Sequence, residues 1–124
     1  MIHLERPENF NPKFEVASCF CEYNGKFVLL HRQDHKPEGN TWGMPAGKID
    51  FGEPLFDAVI REVKEETRIR VSLESLSYLH QVYVRFSDYD FIYHIFRSTF
   101  DREPRVKINP EEHKAFLWTL PAEA

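Results

Sequence analysis

Cysteine is nearly absent from this chain of 124 residues: there are two, Cys19 and Cys21. Thiols two apart rarely bridge, and a lone C-x-C lacks the second ligand pair of a zinc site. On a strand both would leave from one face, and buried free thiols are the expectation. Long hydrophobic runs are missing as well. No stretch approaches 18 apolar residues, which excludes a membrane-spanning helix. The opening Met1-Ile2-His3-Leu4-Glu5-Arg6-Pro7 has no apolar segment of a secretory signal, so a cytoplasmic protein with no membrane partner is expected. Nor is there an excess of positive charge. Sixteen Lys and Arg stand against 20 Asp and Glu, a formal charge of −4, which argues against a general nucleic-acid partner. Internal repeats and low-complexity segments are absent too.

What is present suits one globular domain spanning residues 1–124. The chain is 42% hydrophobic and 29% charged, and its 11 Phe, 5 Tyr and 2 Trp can fill a single core. Residues 1–14 carry proline and asparagine turns and read as an irregular lead-in. Val16 to Tyr23 alternates as a strand, Asn24-Gly25 is a strong hairpin signal, and Phe27 to Arg32 returns antiparallel. A polar loop over 33–41 leads to a short extended run from Trp42 to Ile49, broken by Pro45 and Gly47. A helix is predicted over Pro54 to Thr67, with Pro54 at its first position. Phe56, Val59, Ile60, Val63 and Thr67 fall within a band of about 100° on it, a core-facing stripe. Two aromatic-rich strands follow, Leu76 to Phe86 and Asp90 to Phe100, separated by Ser87-Asp88-Tyr89. After an Asn109-Pro110 turn, Lys114 to Leu120 reads as a short strand or a helix-to-strand connection, with room for a short C-terminal helix. The class is α+β, a mixed sheet with helices packed on it.

The far side of the predicted helix departs from ordinary patterning. With Glu62 at 0°, Glu65 falls at about 300° and Glu66 at about 40°, away from the apolar stripe centred near 120°. Like charges at i, i+3 and i, i+4 repel by a few tenths of a kcal/mol per pair. All three also lie toward the helix C-terminus, where the macrodipole disfavours negative charge. A solvated acidic face, compensated by Arg61, Lys64 and Arg68, would account for them. A hard divalent cation held by their oxygens would remove both penalties.

The segment before the helix decides between these readings. Gly47 is followed after five residues by Glu53, and after seven more by Arg61-Glu62-Val63-Lys64-Glu65-Glu66-Thr67-Arg68-Ile69. This 23-residue stretch resembles the Nudix box, G-x5-E-x7-R-E-U-x-E-E-x-G-U, in which U is aliphatic. The Gly, four Glu and Arg would recur by chance in on the order of one in 10⁷ windows. One position departs: Arg68 stands where the family usually has Gly, at a helix end that favours positive φ. Either the helix ends there in a left-handed conformation at some cost, or it ends by another route. Trp42-Gly43-Met44-Pro45-Ala46-Gly47 also resembles the family's lead-in, with Pro-Ala-Gly for the frequent Pro-Gly-Gly.

The resemblance implies a Nudix fold, a mixed sheet sandwiched by helices as α/β/α, and a Mg²⁺-dependent hydrolase of a nucleoside diphosphate linked to a further group X. Glu62, Glu65 and Glu66 would bind Mg²⁺, with Mn²⁺ an acceptable substitute, and the Ala46 carbonyl would be a further ligand. Glu53 and Arg61 would pair structurally, tying loop to helix, and Gly47 would permit close backbone approach. Mg²⁺ would neutralise the phosphates, act as a Lewis acid and lower the pKa of bound water. The proton from that water needs a carboxylate. The family's base varies, and the candidates are Glu62, Glu65 and Glu112, the last in Asn109-Pro110-Glu111-Glu112-His113 before the closing strand. Arg32 and Arg85 are candidates to clamp phosphate oxygens. No histidine is assigned to catalysis.

The substrate implied is a small nucleotide. The bare length of the chain favours a nucleoside triphosphate cut to monophosphate and pyrophosphate. The Pro-Ala-Gly lead-in instead resembles enzymes of ADP-ribose and related sugar nucleotides. A non-catalytic nucleotide-binding module is a third reading, disfavoured because such relatives usually lose box acids. A homodimer is left open.

Overall fold

The structure, a computed structural model, describes residues 2–86 and 88–121; Ser87 of the expected connection between two strands lies outside the described residues. In chain order the elements are β1 (Ile2–His3), β2 (Pro12–Tyr23), β3 (Lys26–Arg32), β4 (Trp42–Gly43), β5 (Ala46–Lys48), α1 (Leu55–Thr67), a 3₁₀ turn (Leu73–Ser75), β6 (Leu76–Arg85), β7 (Asp90–Phe100) and β8 (His113–Thr119). The lead-in is more ordered than expected. β1 pairs with β6, and β2 begins at Pro12 rather than Val16 because its first half is held by β7. The tail resolves as a strand.

Two long pairings build the sheet. β2 runs parallel to β7 with Cys19 opposite Phe96, and β6 returns antiparallel on the other side of β7. The hairpin from β2 to β3 turns through Asn24 (φ 52°) and Gly25 (φ 77°), the positive-φ pair of a type I′ turn. β3 then pairs with β2 only at Glu22 and Tyr23 before continuing beside β8 and β4. The place beside the other half of β2 is taken by β5, which pairs Ala46 with Ser18 and Lys48 with Val16. Pro45 separates β4 from β5, so one extended run serves two different strands. The sheet therefore forks between β3 and β5.

α1 packs on one face. Its buried Ala58, Val59 and Val63 join Ala17, Cys19 and Cys21 of β2, Val28 and Leu30 of β3, and Phe96 of β7. Cys19 and Cys21 are buried free thiols, and their i, i+2 spacing on β2 sends both side chains to one face. Pro54 sits just outside the helix at φ −60°, ψ 143°, and its carbonyl accepts the Ala58 N–H at 3.0 Å. Of the expected stripe, Val59, Val63 and Thr67 are buried, while Phe56 and Ile60 flank it. Phe56 covers Phe96 edge-on at 5.0 Å. At the far end, Arg68 takes the left-handed conformation, φ 66° and ψ 7°, and donates its N–H to the Lys64 carbonyl.

The α+β class and mixed sheet stand. The expected helical layer on both faces does not: among the described residues α1 is the single α-helix. The segment between β7 and β8 carries Pro104 and Pro110, and each proline removes a helical donor. Phe20, Phe27, Leu79 and Pro121 instead line a shallow depression away from α1. Among the described residues no helix is long and apolar enough to cross a membrane.

Candidate active site

Arg61, on the second turn of α1, organises the acidic face. Its Nε donates to Glu53 Oε2 at 2.7 Å and its Nη2 to Glu53 Oε1 at 2.9 Å, a two-pronged pair. Nη2 also reaches the Lys48 carbonyl at 3.2 Å, so loop, β5 and helix meet on one guanidinium. The remaining nitrogen, Nη1, contacts Glu62 Oε1 at 2.7 Å and Glu65 Oε2 at 3.2 Å. Arg61, hydrogen-bonded to Glu53, pulls that carboxyl down to about 2, helped by the Asp50 N–H. Gly52, at φ 78°, supplies the positive-φ bend that turns Glu53 back toward the helix.

The three helix glutamates have different surroundings. Glu66 is tucked against β5, where the Ala46 N–H donates to its Oε1 at 2.8 Å. Burial pushes its carboxyl up to about 8 against that hydrogen bond, and the negative charges of Glu62 and Glu112 add to the rise. Glu62 is raised as well, first by burial, with Arg61 opposing. Glu65 is the open member, its side chain 58% exposed. Gly47 lies directly beneath Glu62: a Cβ there would run into the Glu62 carboxylate.

These groups form one wall of a cleft of about 470 Å³ at the fork between β3 and β5. Glu62, Glu65, Glu66 and the Ala46–Lys48 strand line one side; Arg32, Lys36, Asn109 and Glu112 line the other. Glu112 arrives there because its loop is bound to the end of β3: Gln33 N–H donates to the Glu112 carbonyl at 3.0 Å. Its carboxylate holds Lys36 Nζ at 3.1 Å. Arg32 Nε donates to the Pro37 carbonyl at 2.6 Å. His113 is buried beside them with its Nδ1 unpartnered among the described residues, and burial, then Arg32, lowers its pKa.

Most of the residues singled out from the sequence thus converge: Arg32, Ala46, Gly47, Glu62, Glu65, Glu66 and Glu112 share the cleft, with Glu53 and Arg61 behind it. Arg85 does not. It ends β6 and pairs with Asp90 at 3.1 Å across the β6–β7 turn, with Nη2 on the Glu8 carbonyl at 3.0 Å, in a separate depression with Asn9, Asn11 and Tyr89. Strand position alone did not say which end of the sheet it would occupy. Conversely, Lys36 and Asn109 belong to the cleft without having been singled out. Lys36 lies in a polar loop that carries no motif, and the Asn109-Pro110 turn was read only as a chain reversal.

Among the described residues no three acidic, histidine or thiol groups already stand as a cation cage. The donor set nevertheless fits a hard divalent ion. It consists of carboxylate and carbonyl oxygens, and it includes the buried Glu66 carboxylate, which among the described residues has no cationic group at hydrogen-bonding distance. Glu62, Glu65, Glu66 and the Ala46 carbonyl are the groups that could hold such an ion.

Comparison with known proteins agrees with the box. The family model described as "NUDIX domain" matches residues 12–124. The chain belongs to the Nudix family. The CTP pyrophosphohydrolase of Escherichia coli K12 is 26% identical over 110 residues, 89% of this chain and 78% of that protein. The uncharacterised Nudix hydrolase YvcI of Bacillus subtilis is 39% identical over 56 residues, 45% of this chain and 33% of that protein. This Nudix chain spans a third or less of several such longer relatives, Nudix hydrolase 10 of Arabidopsis thaliana among them at 30%. The crystal structure of a MutT Nudix hydrolase from Burkholderia pseudomallei superposes with a TM-score of 0.75 at 28% identity, covering 87% of this chain and 82% of that one.

Proposed function

We propose that this Nudix domain is a Mg²⁺-dependent hydrolase that cleaves the phosphoanhydride bond of a nucleoside triphosphate, releasing the monophosphate and pyrophosphate. The observation that carries the reading is the cleft itself, in which the carboxylates of Glu62, Glu65 and Glu66 face Arg32 and Lys36 across the fork. An acidic wall alone would repel a polyphosphate, and a basic wall alone would not explain a buried carboxylate such as Glu66. Carboxylates and cations lining one cleft suit a phosphate chain carrying a cation.

Mg²⁺ held by Glu62, Glu65, Glu66 and the Ala46 carbonyl would supply Lewis-acid activation of phosphorus and of water. The protein's own part is to position and to accept a proton. Arg61 fixes the helix against the loop through Glu53, so the glutamates are presented at a constant distance from β5. Arg32 binds phosphate oxygens. Glu112 accepts the proton as water attacks phosphorus and the anhydride oxygen leaves with its electron pair. Glu112 is preferred over Glu62 as this base because Arg61 holds the Glu62 carboxylate more closely, at 2.7 Å, than Lys36 holds that of Glu112, at 3.1 Å. The relation to a CTP pyrophosphohydrolase over most of both chains supports the triphosphate reading.

A sugar-nucleotide substrate of the ADP-ribose type is the second reading, favoured by Pro45-Ala46-Gly47. One panel separates them: nucleoside triphosphates, sugar nucleotides and dinucleoside polyphosphates, each with Mg²⁺ and with EDTA. Pyrophosphate release from a triphosphate, abolished by EDTA, is expected. Turnover of sugar nucleotides alone would establish the second reading, and undiminished turnover without metal would overturn the mechanism.

A further inference from the structure

We propose that Lys36 is a substrate-binding residue that grips the diphosphate portion of the substrate, and that it reaches the phosphate by exchanging partners with Glu112. The inference rests on the reading of the cleft as a polyphosphate site.

Three observations carry it. The Lys36–Glu112 pair, at 3.1 Å, is not what docks its two loops together. Gln33 N–H to the Glu112 carbonyl at 3.0 Å, Gln33 Nε2 to the Pro110 carbonyl at 2.8 Å and Lys114 Nζ to Asp34 Oδ1 at 2.7 Å already do so. Secondly, the pair is partly open, with side chains 29% and 38% exposed, and ion pairs so placed contribute little and exchange readily. Thirdly, two of the neighbouring cations are engaged elsewhere. Arg61 is forked onto Glu53 and Lys48 Nζ lies over the Phe14 ring at 4.3 Å, which leaves Lys36 beside Arg32 to meet a phosphate. An ammonium on a flexible four-carbon stem, with three rotatable donors, can leave one carboxylate oxygen for a phosphate oxygen across the same cleft. The move has a second consequence. It releases Glu112 Oε1 and so frees the carboxylate proposed above to accept the proton when water attacks.

The test reads binding rather than turnover. Inorganic pyrophosphate, with saturating Mg²⁺, is titrated by calorimetry into the wild type, Lys36→Met, Lys36→Gln, Lys36→Arg and Glu112→Gln, each checked by thermal melt. Loss of a charge-assisted contact should weaken pyrophosphate binding about tenfold or more in Lys36→Met and Lys36→Gln. Lys36→Arg should stay within about threefold of the wild type, since the charge is kept. Glu112→Gln removes the competitor and should leave pyrophosphate binding unchanged or tighter. Should Lys36→Met fail to fold, Lys36→Gln carries the same reading. Unchanged affinity in the neutral variants would overturn the proposal. So would equal weakening in Glu112→Gln and Lys36→Met, the result expected of a structural tether. A substrate panel without any hydrolysed nucleotide would sink the proposed function and leave this binding difference standing, so the two failures are distinguishable.

Discussion

Glu53 and Arg61 are joined by two parallel hydrogen bonds, Nε to Oε2 at 2.7 Å and Nη2 to Oε1 at 2.9 Å, which clamp the loop before α1 onto its second turn. The clamp depends on an ionised carboxylate, so it has a pH signature. In the folded protein Glu53 is held down to about 2, from an ordinary value near 4.5. A depressed carboxyl contributes stability that is present above the unfolded pKa and is lost as pH falls through the folded one. Thermal melts of the wild type and Glu53→Gln should therefore differ most above pH 5, and the gap should close between about pH 4.5 and pH 2. A gap that widened toward low pH would contradict the assigned ionisation.

The sequence carried this part of the site openly because it is contiguous. Gly47, Glu53, Arg61 and the three helix glutamates lie within 23 residues, and their relative positions follow from one loop and 3.6 residues per turn. The hairpin was equally local: Asn24 and Gly25 both adopt the positive φ that their types favour. Long-range relations were not legible. The parallel pairing of β2 with β7 joins residues such as Cys19 and Phe96, and nothing local to either strand names its partner. The approach of Lys36 to Glu112 spans 76 positions and was invisible for the same reason. Arg85 is the converse case: its type suited a phosphate clamp, but it pairs with Asp90 away from the cleft.

Gly47 gives a prediction that separates chemistry from stability. The atom a Cβ would meet is the end of the Glu62 side chain, which can move, rather than fixed backbone. Gly47→Ala should shift the melt little, because the residue lies on a strand rather than at a positive φ. It should lower kcat by about a hundredfold, the effect of misplacing a metal-site carboxylate by about 1 Å. A large fall in melting temperature with activity kept would assign Gly47 to folding alone.

Glu66 should behave in the opposite way to an ordinary buried ion-pair partner. Its carboxylate is raised to about 8 chiefly by burial, and its ionised form is opposed by Glu62 and Glu112. Glu66→Gln keeps the shape and removes the cost of protonating this buried carboxyl on folding at neutral pH. The metal-free melt should hold or rise slightly, while kcat falls by orders of magnitude. The wild type should gain thermal stability on adding Mg²⁺, because a ligand of the folded state stabilises it, and the variant should gain much less. Equal Mg²⁺ stabilisation in both proteins would remove Glu66 from the metal site.

Arg68 is the residue where this chain departs from the box, and its backbone decides between the two ways the helix could have ended. At φ 66° and ψ 7° it is a left-handed cap, its N–H bonded to the Lys64 carbonyl at 2.9 Å. A side chain in that conformation brings its Cβ close to the carbonyl oxygen, costing about 1 kcal/mol that glycine would not incur. Glycine also increases the freedom of the unfolded chain, which offsets part of the gain. The net expectation for Arg68→Gly is stabilisation of up to about 1 kcal/mol, read from denaturant melts as a higher midpoint at unchanged slope. Activity should change little. Glu62, Glu65 and Glu66 sit on turns already closed by the time the chain reaches residue 68, and Arg68 does not line their cleft. A lower midpoint would show that the unfolded-state entropy outweighs the relieved Cβ contact. A large loss of activity at unchanged stability would place the Arg68 guanidinium in substrate binding, against the position the fold gives it.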